Sequence, residues 1–190
     1  MDNNKRITAI GLALIIMGLT ACSQKQMDNP YGNIVAGLGD NAAYAFLEMD
    51  YKYNVMVTSD GIYDEGEESQ AAIYCDVYYY TGGEVKKLGT IMSDGTAYPV
   101  SFSKDGIFVA SGHSVGKYVI SEKEGILSLE KGVYEKFDSF GNPSYTIIAN
   151  GIEMESTESE YQEMQKEYAA SQIIHFSYGS NGSINEIRKW

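Results

Sequence analysis

The sequence is poor in cysteine, proline and basic residues. Its 190 residues include only two cysteines, three prolines and one tryptophan. Lysine and arginine together number 14, against 26 aspartates and glutamates, and the formal net charge is −12. Proteins that bind nucleic acid need a basic surface to contact the phosphates. The charge therefore argues against nucleic acid as a partner. Beyond the N-terminal segment, the chain also has no apolar run long enough to predict a membrane-spanning helix.

The first 21 residues have the pattern of a bacterial signal peptide. Lys5 and Arg6 precede an apolar run from Ile7 to Leu19, which is too short to span a bilayer as a stable helix. The run leads into Leu19–Cys22 (LTAC), which resembles the lipobox of bacterial lipoproteins. This resemblance implies cleavage before Cys22, diacylation of its thiol, and a mature protein anchored outside the cytoplasm. The alternative is an ordinary secretory signal with a chance cysteine.

The mature chain is predicted to be a polar tether followed by one domain. Residues 22–33 contain the lipidated cysteine and a polar, flexible segment, and residues 34–190 suit a single well-buried domain. Once Cys22 is lipidated, Cys75 is the only thiol left, so no intramolecular disulfide can form. Cys75 lies among apolar neighbours and beside Asp76, which favours a buried core residue over a reactive thiol.

The distribution of turn residues predicts a mostly β fold. Glycines preceded by Asp, Asn, Glu, Lys or Gly punctuate the chain at short intervals, and the segments between them alternate apolar and polar residues. We expect an antiparallel meander or sandwich. Pro99 lacks a backbone N–H, so its strand should lie at an edge or start late. Strands are predicted at 43–49, 53–58, 71–80, 85–92, 97–103, 107–111, 117–121, 126–129, 133–137, 143–149 and 173–178.

One segment near the C-terminus has helical rather than strand periodicity. Thr157 and Glu160 form a capping-box pattern, and apolar residues follow at helical spacing. We predict a helix over 158–171 that packs on one face of the sheet. A last strand should then place Ile174, Phe176 and Tyr178 in the core.

The 16 tyrosines are the most suggestive feature for function. In the strand predicted at 71–80, Ile73, Cys75, Val77 and Tyr79 alternate with a second row that faces the other way. An exposed row of aromatic rings with polar tips can bind flat sugar rings or a protein partner. Alternatively, the late helix covers the row, since tyrosine is a common strand residue. The candidate ligand-binding residues in this row are Tyr74, Asp76, Tyr78 and Tyr80.

A second motif, Gly112–Gly116 (GHSVG), matches the nucleophile elbow of lipases and esterases. That elbow requires a strand, a sharp turn and a helix, so that the serine stands above the sheet. The residues after the motif alternate like a strand, which argues against Ser114 as a nucleophile. Asp138 and His175 follow in the order that a catalytic triad would need, but His175 is predicted on the outer face of the last strand.

No cofactor or metal is expected. The acidic loop from Asp60 to Glu68 could bind calcium, but it does not have EF-hand spacing. The simpler interpretation is a solvated, negatively charged connection between strands. Only His113 and His175 could contribute imidazole to a zinc site, and their spacing does not suit one.

Four phrases of the mature chain are distinctive: Val57–Asp64 (VTSDGIYD), Gly95–Val100 (GTAYPV), Gly112–Val115 (GHSV) and Phe137–Asn142 (FDSFGN). Through these phrases, the mature chain resembles a group of uncharacterised lipoproteins of Gram-positive gut bacteria of clostridial type. The resemblance implies a location and carries no activity with it. We therefore expect a lipid-anchored, non-catalytic module that binds a glycan or protein of the envelope or host; a small serine hydrolase and an accessory subunit of an envelope complex are the alternatives.

Overall fold

The computed structural model describes residues 29–66 and 69–178 and confirms the mostly β fold. Within these residues there is no helix both long and apolar enough to cross a membrane. In chain order, the elements are α1 (Gly32–Ala36), β1 (Ala43–Leu47), β2 (Val55–Ser59), β3 (Ile62–Gly66), β4 (Ser69–Ala72), β5 (Tyr74–Thr81), β6 (Glu84–Met92), β7 (Ser101–Phe102), β8 (Ile107–Ser111), β9 (Ser114–Ser121), β10 (Ile126–Phe137), β11 (Pro143–Ala149), β12 (Ile152–Ser156), α2 (Glu158–Ala170), β13 (Gln172–Ile173) and β14 (Ser177–Tyr178).

Two antiparallel sheets form a sandwich. Sheet 1 has the strand order β14-β1-β2-β5-β6, and sheet 2 has the order β12-β11-β10-β9-β8-β7-β13. Strands β7 to β12 follow one another as a meander, while β3 and β4 form a separate hairpin. The main core lies between the sheets, because its buried residues come from both, among them Val57 and Val77 of sheet 1 and Ile107 and Ile120 of sheet 2.

Each sheet also has an outer face that a helix covers. On sheet 2, Phe108 and Val133 point away from the main core and pack with Met164 of α2. On sheet 1, Met56 points outward and packs with Tyr31 and Val35, at α1. The alternation of strand side chains explains this layering, because neighbouring residues in a strand point to opposite faces.

The N-terminal boundary of the folded part lies earlier than the sequence predicted. Tyr31 is fully buried and α1 begins at Gly32, although both fall within the predicted tether of residues 22–33. The phenol of Tyr31 donates a hydrogen bond to the Asn54 carbonyl (2.6 Å) and accepts one from the Tyr80 N–H (3.0 Å). These bonds join the start of α1 to β5 and to the residue that precedes β2. The proposed signal peptide and Cys22 lie outside the described residues.

The predicted break between 126–129 and 133–137 is wrong, because β10 runs through both segments. The pairing of β10 with β9 shifts between Leu129 and Lys131, so the strand bends without ending. Gly132 lies at a tightly packed position inside the strand and not at a turn. A Cβ at this position would lie 3.1 Å from the hydroxyl of Tyr134 and 3.3 Å from a methyl carbon of Leu129.

Two further strand predictions are corrected at their ends. The strand predicted at 71–80 is divided into β4 and β5, and β7 begins only at Ser101, after Pro99, as expected for a strand that starts late. The predicted last strand is also divided. β13 pairs with β7 in sheet 2, and β14 pairs with β1 in sheet 1. Between them, Ile174 and Phe176 are buried in the main core as predicted.

Candidate ligand-binding site

The predicted tyrosine row lies on β5, and its four residues are half-buried. Cys75, Val77 and Tyr79 alternate with the row and are buried in the main core, as the sequence predicted. The late helix does not cover the row, because α2 packs on sheet 2. The cover comes instead from the N-terminal end of the domain, where Tyr78 and Tyr80 pack with the cluster around Tyr31.

The Tyr74 end of the row is occupied by polar contacts within the chain. The Tyr74 phenol donates a hydrogen bond to Asp60. Asp76 accepts hydrogen bonds from Lys87 Nζ (2.6 Å) and from the Thr90 hydroxyl. The row is therefore not one continuous platform, and its two ends have different surroundings.

The Tyr80 end of the row opens into a pocket at one end of the sandwich, which we call the tyrosine pocket. Its volume is about 450 Å³. It lies between the segment before β2, the β5–β6 turn and the β9–β10 turn. Gly82 and Gly83 form the β5–β6 turn with φ of 62° and 90°, the left-handed region that tight hairpin turns need. The lining residues are Lys52, Tyr53, Tyr79, Tyr80, Thr81, Gly82, Gly83, Glu122 and Lys123.

Glu122 and Tyr79 form a fixed polar group in the wall of the pocket. Oε1 of Glu122 accepts hydrogen bonds from the Tyr79 phenol and from the Lys52 N–H, the latter at 2.8 Å. The Tyr79 phenol also accepts a hydrogen bond from the Tyr53 N–H (3.3 Å). Burial raises the pKa of the Tyr79 phenol, and the hydrogen bond to Glu122 raises it further. The phenol therefore stays protonated and holds the carboxylate in place.

Aromatic rings and lysines complete the pocket. The rings of Tyr53 and Tyr80 meet edge to face, with centroids 5.0 Å apart and an interplanar angle of 88°. The ring of Tyr79 lies 6.3 Å from that of Tyr53. Lys52 places its ammonium 5.0 Å from the centroid of the Tyr53 ring, and the exposed Lys123 also lines the pocket. Aromatic faces, an anchored carboxylate and ammonium donors thus surround one cavity.

A second groove of similar size has different chemistry. It has a volume of about 490 Å³ and lies between β1 and the segment in which the last strand changes sheets. Phe46 and Phe102 supply its rings, and Gln172 and His175 are among its polar residues. His175 is exposed and bonds through Nδ1 to the Ser69 hydroxyl (2.5 Å). The described residues that line this groove include no tyrosine and no carboxylate, so the tyrosine pocket is the richer site for recognition.

Ser114 does not lie in a nucleophile elbow. It begins β9 directly after a two-residue hairpin turn, and its hydroxyl lies 2.8 Å from that of Ser111. In β9, Ser114 pairs with Tyr134 of β10, so a strand follows it where the motif needs a helix.

The residues that could serve as triad partners bind elsewhere. Asp138 accepts hydrogen bonds from the backbone N–H groups of Phe140 and Asn142, each at 2.8 Å, and from the Asn142 side chain. These hydrogen bonds lower the pKa of Asp138, and the largest contribution comes from the side-chain amide of Asn142. His113, beside Ser114 in sequence, bonds to Glu135 at 2.9 Å. The structure therefore does not bring Ser114, Asp138 and His175 together.

Cys75 is the buried core residue that the sequence predicted, and burial raises the pKa of its thiol. In the acidic loop from Asp60 to Glu68, Asp60 bonds to Tyr74 and Asp64 accepts a hydrogen bond from the Gly66 N–H, while residues 67–68 lie outside the described part. Across 29–66 and 69–178, no three histidine, cysteine, aspartate or glutamate side chains are grouped as a metal site would require.

Sequence reasoning identified Tyr80 but missed the other side chains of the tyrosine pocket. Tyr53 and Glu122 come from distant parts of the chain, and only the fold brings them to β5. The local signals were the spacing of Tyr51 and Tyr53 around Lys52 and the charged turn that contains Glu122. Comparison of the chain with protein-family models, with curated proteins and with solved structures finds no match.

Proposed function

We propose that this chain is a lipid-anchored extracytoplasmic binding module without catalytic activity, and that it binds a glycan of the cell envelope or of a host in the tyrosine pocket. The observation that carries the proposal is one pocket of about 450 Å³ whose lining combines three tyrosines with the Glu122 carboxylate, which the Tyr79 phenol holds in place. Small-molecule sites in proteins have volumes of about 300–1,000 Å³ and combine apolar walls with a few placed polar groups.

The chemistry of the pocket suits a sugar. Apolar faces of sugar rings pack on aromatic rings, which Tyr53 and Tyr80 supply at the mouth. Sugar hydroxyls both donate and accept hydrogen bonds. Oε1 of Glu122 is already used by Tyr79 and Lys52, which leaves Oε2 to accept from a hydroxyl. The ammonium groups of Lys52 and Lys123 can donate to ring or hydroxyl oxygens.

The polar groups of the pocket are already held in place by contacts within the chain, so a ligand can bind without a conformational rearrangement. The carboxylate is held by two hydrogen bonds before any ligand arrives, and Thr81 donates to the Glu122 carbonyl (3.0 Å), which ties the two turns together. A rigid pocket loses little conformational entropy when a ligand enters. The N-terminal segment supports the location, because Lys5, Arg6, the apolar run and Cys22 have the order of a lipoprotein signal.

The test is a thermal-shift screen of the chain without residues 1–22 against oligosaccharides and peptidoglycan fragments, followed by calorimetry. A ligand at a hundred times its dissociation constant should stabilise the domain by about 2.7 kcal/mol. Tyr80→Ala and Glu122→Gln should each weaken binding at least tenfold. Tyr74→Ala, on the same face of the same strand, and Glu124→Gln, in the same turn, are the matched controls and should bind as the wild type does.

Two results would contradict the proposal. A panel without any shift would argue against a glycan and direct the search to envelope proteins. A glycan that binds the Tyr80→Ala and Glu122→Gln variants as tightly as the wild type would place the site elsewhere on the domain.

A further inference from the structure

Among the strands that the structure describes, β12 lies at the end of sheet 2 and its outer edge is unpaired. β12 pairs with β11 through all five of its residues, and it is the last strand of the sheet on that side. Its first four residues are exposed, including Ile152 at 63% and Met154 at 48%. A free edge carries unpaired backbone N–H and C=O groups that can accept a further strand. β12 contains no proline or bulge that would interrupt such pairing.

The two faces of β12 differ in chemistry. The register places Met154 opposite Ile147 and Ile152 opposite Ala149. Ile147 is buried beneath α2, so Met154 and Ile152 extend the apolar face of sheet 2 to its edge. Glu153 and Glu155 alternate with them and point to the other face. Lys136 lies 3.5 Å from Glu153 in an exposed ion pair, which contributes little.

This pattern disfavours a second copy of the chain as the partner. In a two-fold antiparallel pair, residues opposite each other point to the same face, so each glutamate of β12 would stand opposite a glutamate of the other copy or close to one. Like charges directly opposite destabilise a strand pair. The net charge of −12 adds a general repulsion between two copies.

The same pattern favours a basic partner strand. We propose that β12 is a docking edge for an extended segment of another protein in which lysine or arginine alternates with apolar residues. The segment would extend sheet 2 by one antiparallel strand through backbone hydrogen bonds. Its basic side chains would lie beside Glu153 and Glu155, and its apolar side chains would cover Ile152 and Met154. Main-chain bonds of this kind provide affinity, and the alternating side chains provide specificity.

The test uses the full chain and a fluorescent, end-capped heptapeptide of alternating lysine and valine. We expect saturable binding by anisotropy, and slower amide exchange in residues 152–156 when the peptide is bound. A peptide of the same composition with its lysines in one block should bind at least tenfold more weakly. A peptide of alternating glutamate and valine should not bind.

A charge exchange provides the matched variants. The double variant Glu153→Lys/Glu155→Lys should lose the lysine peptide and bind the glutamate peptide. The control Glu48→Lys/Glu163→Lys changes two exposed glutamates elsewhere by the same net charge and should keep the wild-type preference.

Three outcomes would overturn the proposal. The first is an equal loss of lysine-peptide binding in both double variants. The second is equal binding of the alternating and block lysine peptides. Either outcome would mean that the peptide is attracted by charge alone. The third is concentration-dependent self-association of the chain with amide protection in β12, because that would make a second copy the occupant. None of these outcomes depends on whether the tyrosine pocket binds a glycan.

Discussion

The two outer faces of the sandwich are covered by helices that are stable for different reasons. α2 has 13 residues, a complete capping box at Thr157 and Glu160, and acidic residues in its first turn. Acidic side chains at this end stabilise a helix through their interaction with the helix dipole. α1 has five residues, and its N-cap residue, Tyr31, makes no side-chain cap. A helix that short is not stable alone in water. The comparison shows that local signals support α2, whereas tertiary contacts, chiefly those of the buried Tyr31 and Val35, support α1.

The largest expected effect comes from removing that tyrosine. Tyr31→Ala should lower the free energy of unfolding by about 4 kcal/mol, because it leaves a cavity beneath α1 and removes two hydrogen bonds to sheet 1. Met164→Ala is the matched variant beneath α2. It leaves a cavity without removing a hydrogen bond, and we expect a loss of about 3 kcal/mol. Urea unfolding measures both, and a smaller loss at Tyr31 than at Met164 would contradict the proposed role of Tyr31.

A smaller change separates the hydrogen bonds of Tyr31 from its packing. Tyr31→Phe keeps the ring but leaves the Tyr80 N–H and the Asn54 carbonyl without the phenol, and it should cost about 2 kcal/mol at pH 8.

The cost of Tyr31→Phe should also depend on pH. Burial raises the pKa of Tyr31 from 10.0 to about 12 in the folded protein, although the bond from Tyr80 opposes it. The folded state therefore holds this proton more tightly, and the stability from it is complete below pH 10 and is lost as the pH rises through 12. The difference in the free energy of unfolding between wild type and Tyr31→Phe should be about 1 kcal/mol smaller at pH 11 than at pH 8. A difference that stays constant from pH 8 to pH 11 would mean that the phenol does not titrate differently on unfolding.

The smallest effect tests the local signals of α2. Thr157→Ala removes the side-chain oxygen that accepts the Glu160 N–H (3.3 Å) and should cost about 1 kcal/mol. Ser159→Ala lies in the same turn without a capping role, and its effect should stay within about 0.5 kcal/mol. Equal effects of the two variants in thermal unfolding would show that the capping box does not stabilise α2.

The same contrast explains what the sequence could predict. α2, with its capping box, and β11, with its alternation, were predicted within one residue of their observed ends, because their signals are local. α1 was missed, since its stability depends on Asn54 and Tyr80, which are distant in sequence. The continuity of β10 was missed because Gly132, taken from the sequence alone, indicates a turn. Only the structure shows that the Tyr134 ring packs beside it within one strand.

The candidate site divides in the same way. Alternation along β5 correctly separated the buried Cys75, Val77 and Tyr79 from the half-buried row. It could not separate Tyr80, which reaches the tyrosine pocket, from Tyr74, which bonds to Asp60. That distinction depends on the turn that carries Glu122 and on the segment that carries Tyr53, and neither is a neighbour of β5 in sequence.

The division of the last strand between the sheets has a consequence for how the chain folds. β14 pairs with β1, so the first and last described strands of the domain are neighbours in sheet 1. A growing chain can form the hairpins of sheet 2 as they emerge, but neither sheet is complete until the final segment is available. Contacts between residues this far apart in sequence slow folding. The domain should therefore stay incompletely folded until β13 and β14 have been synthesised.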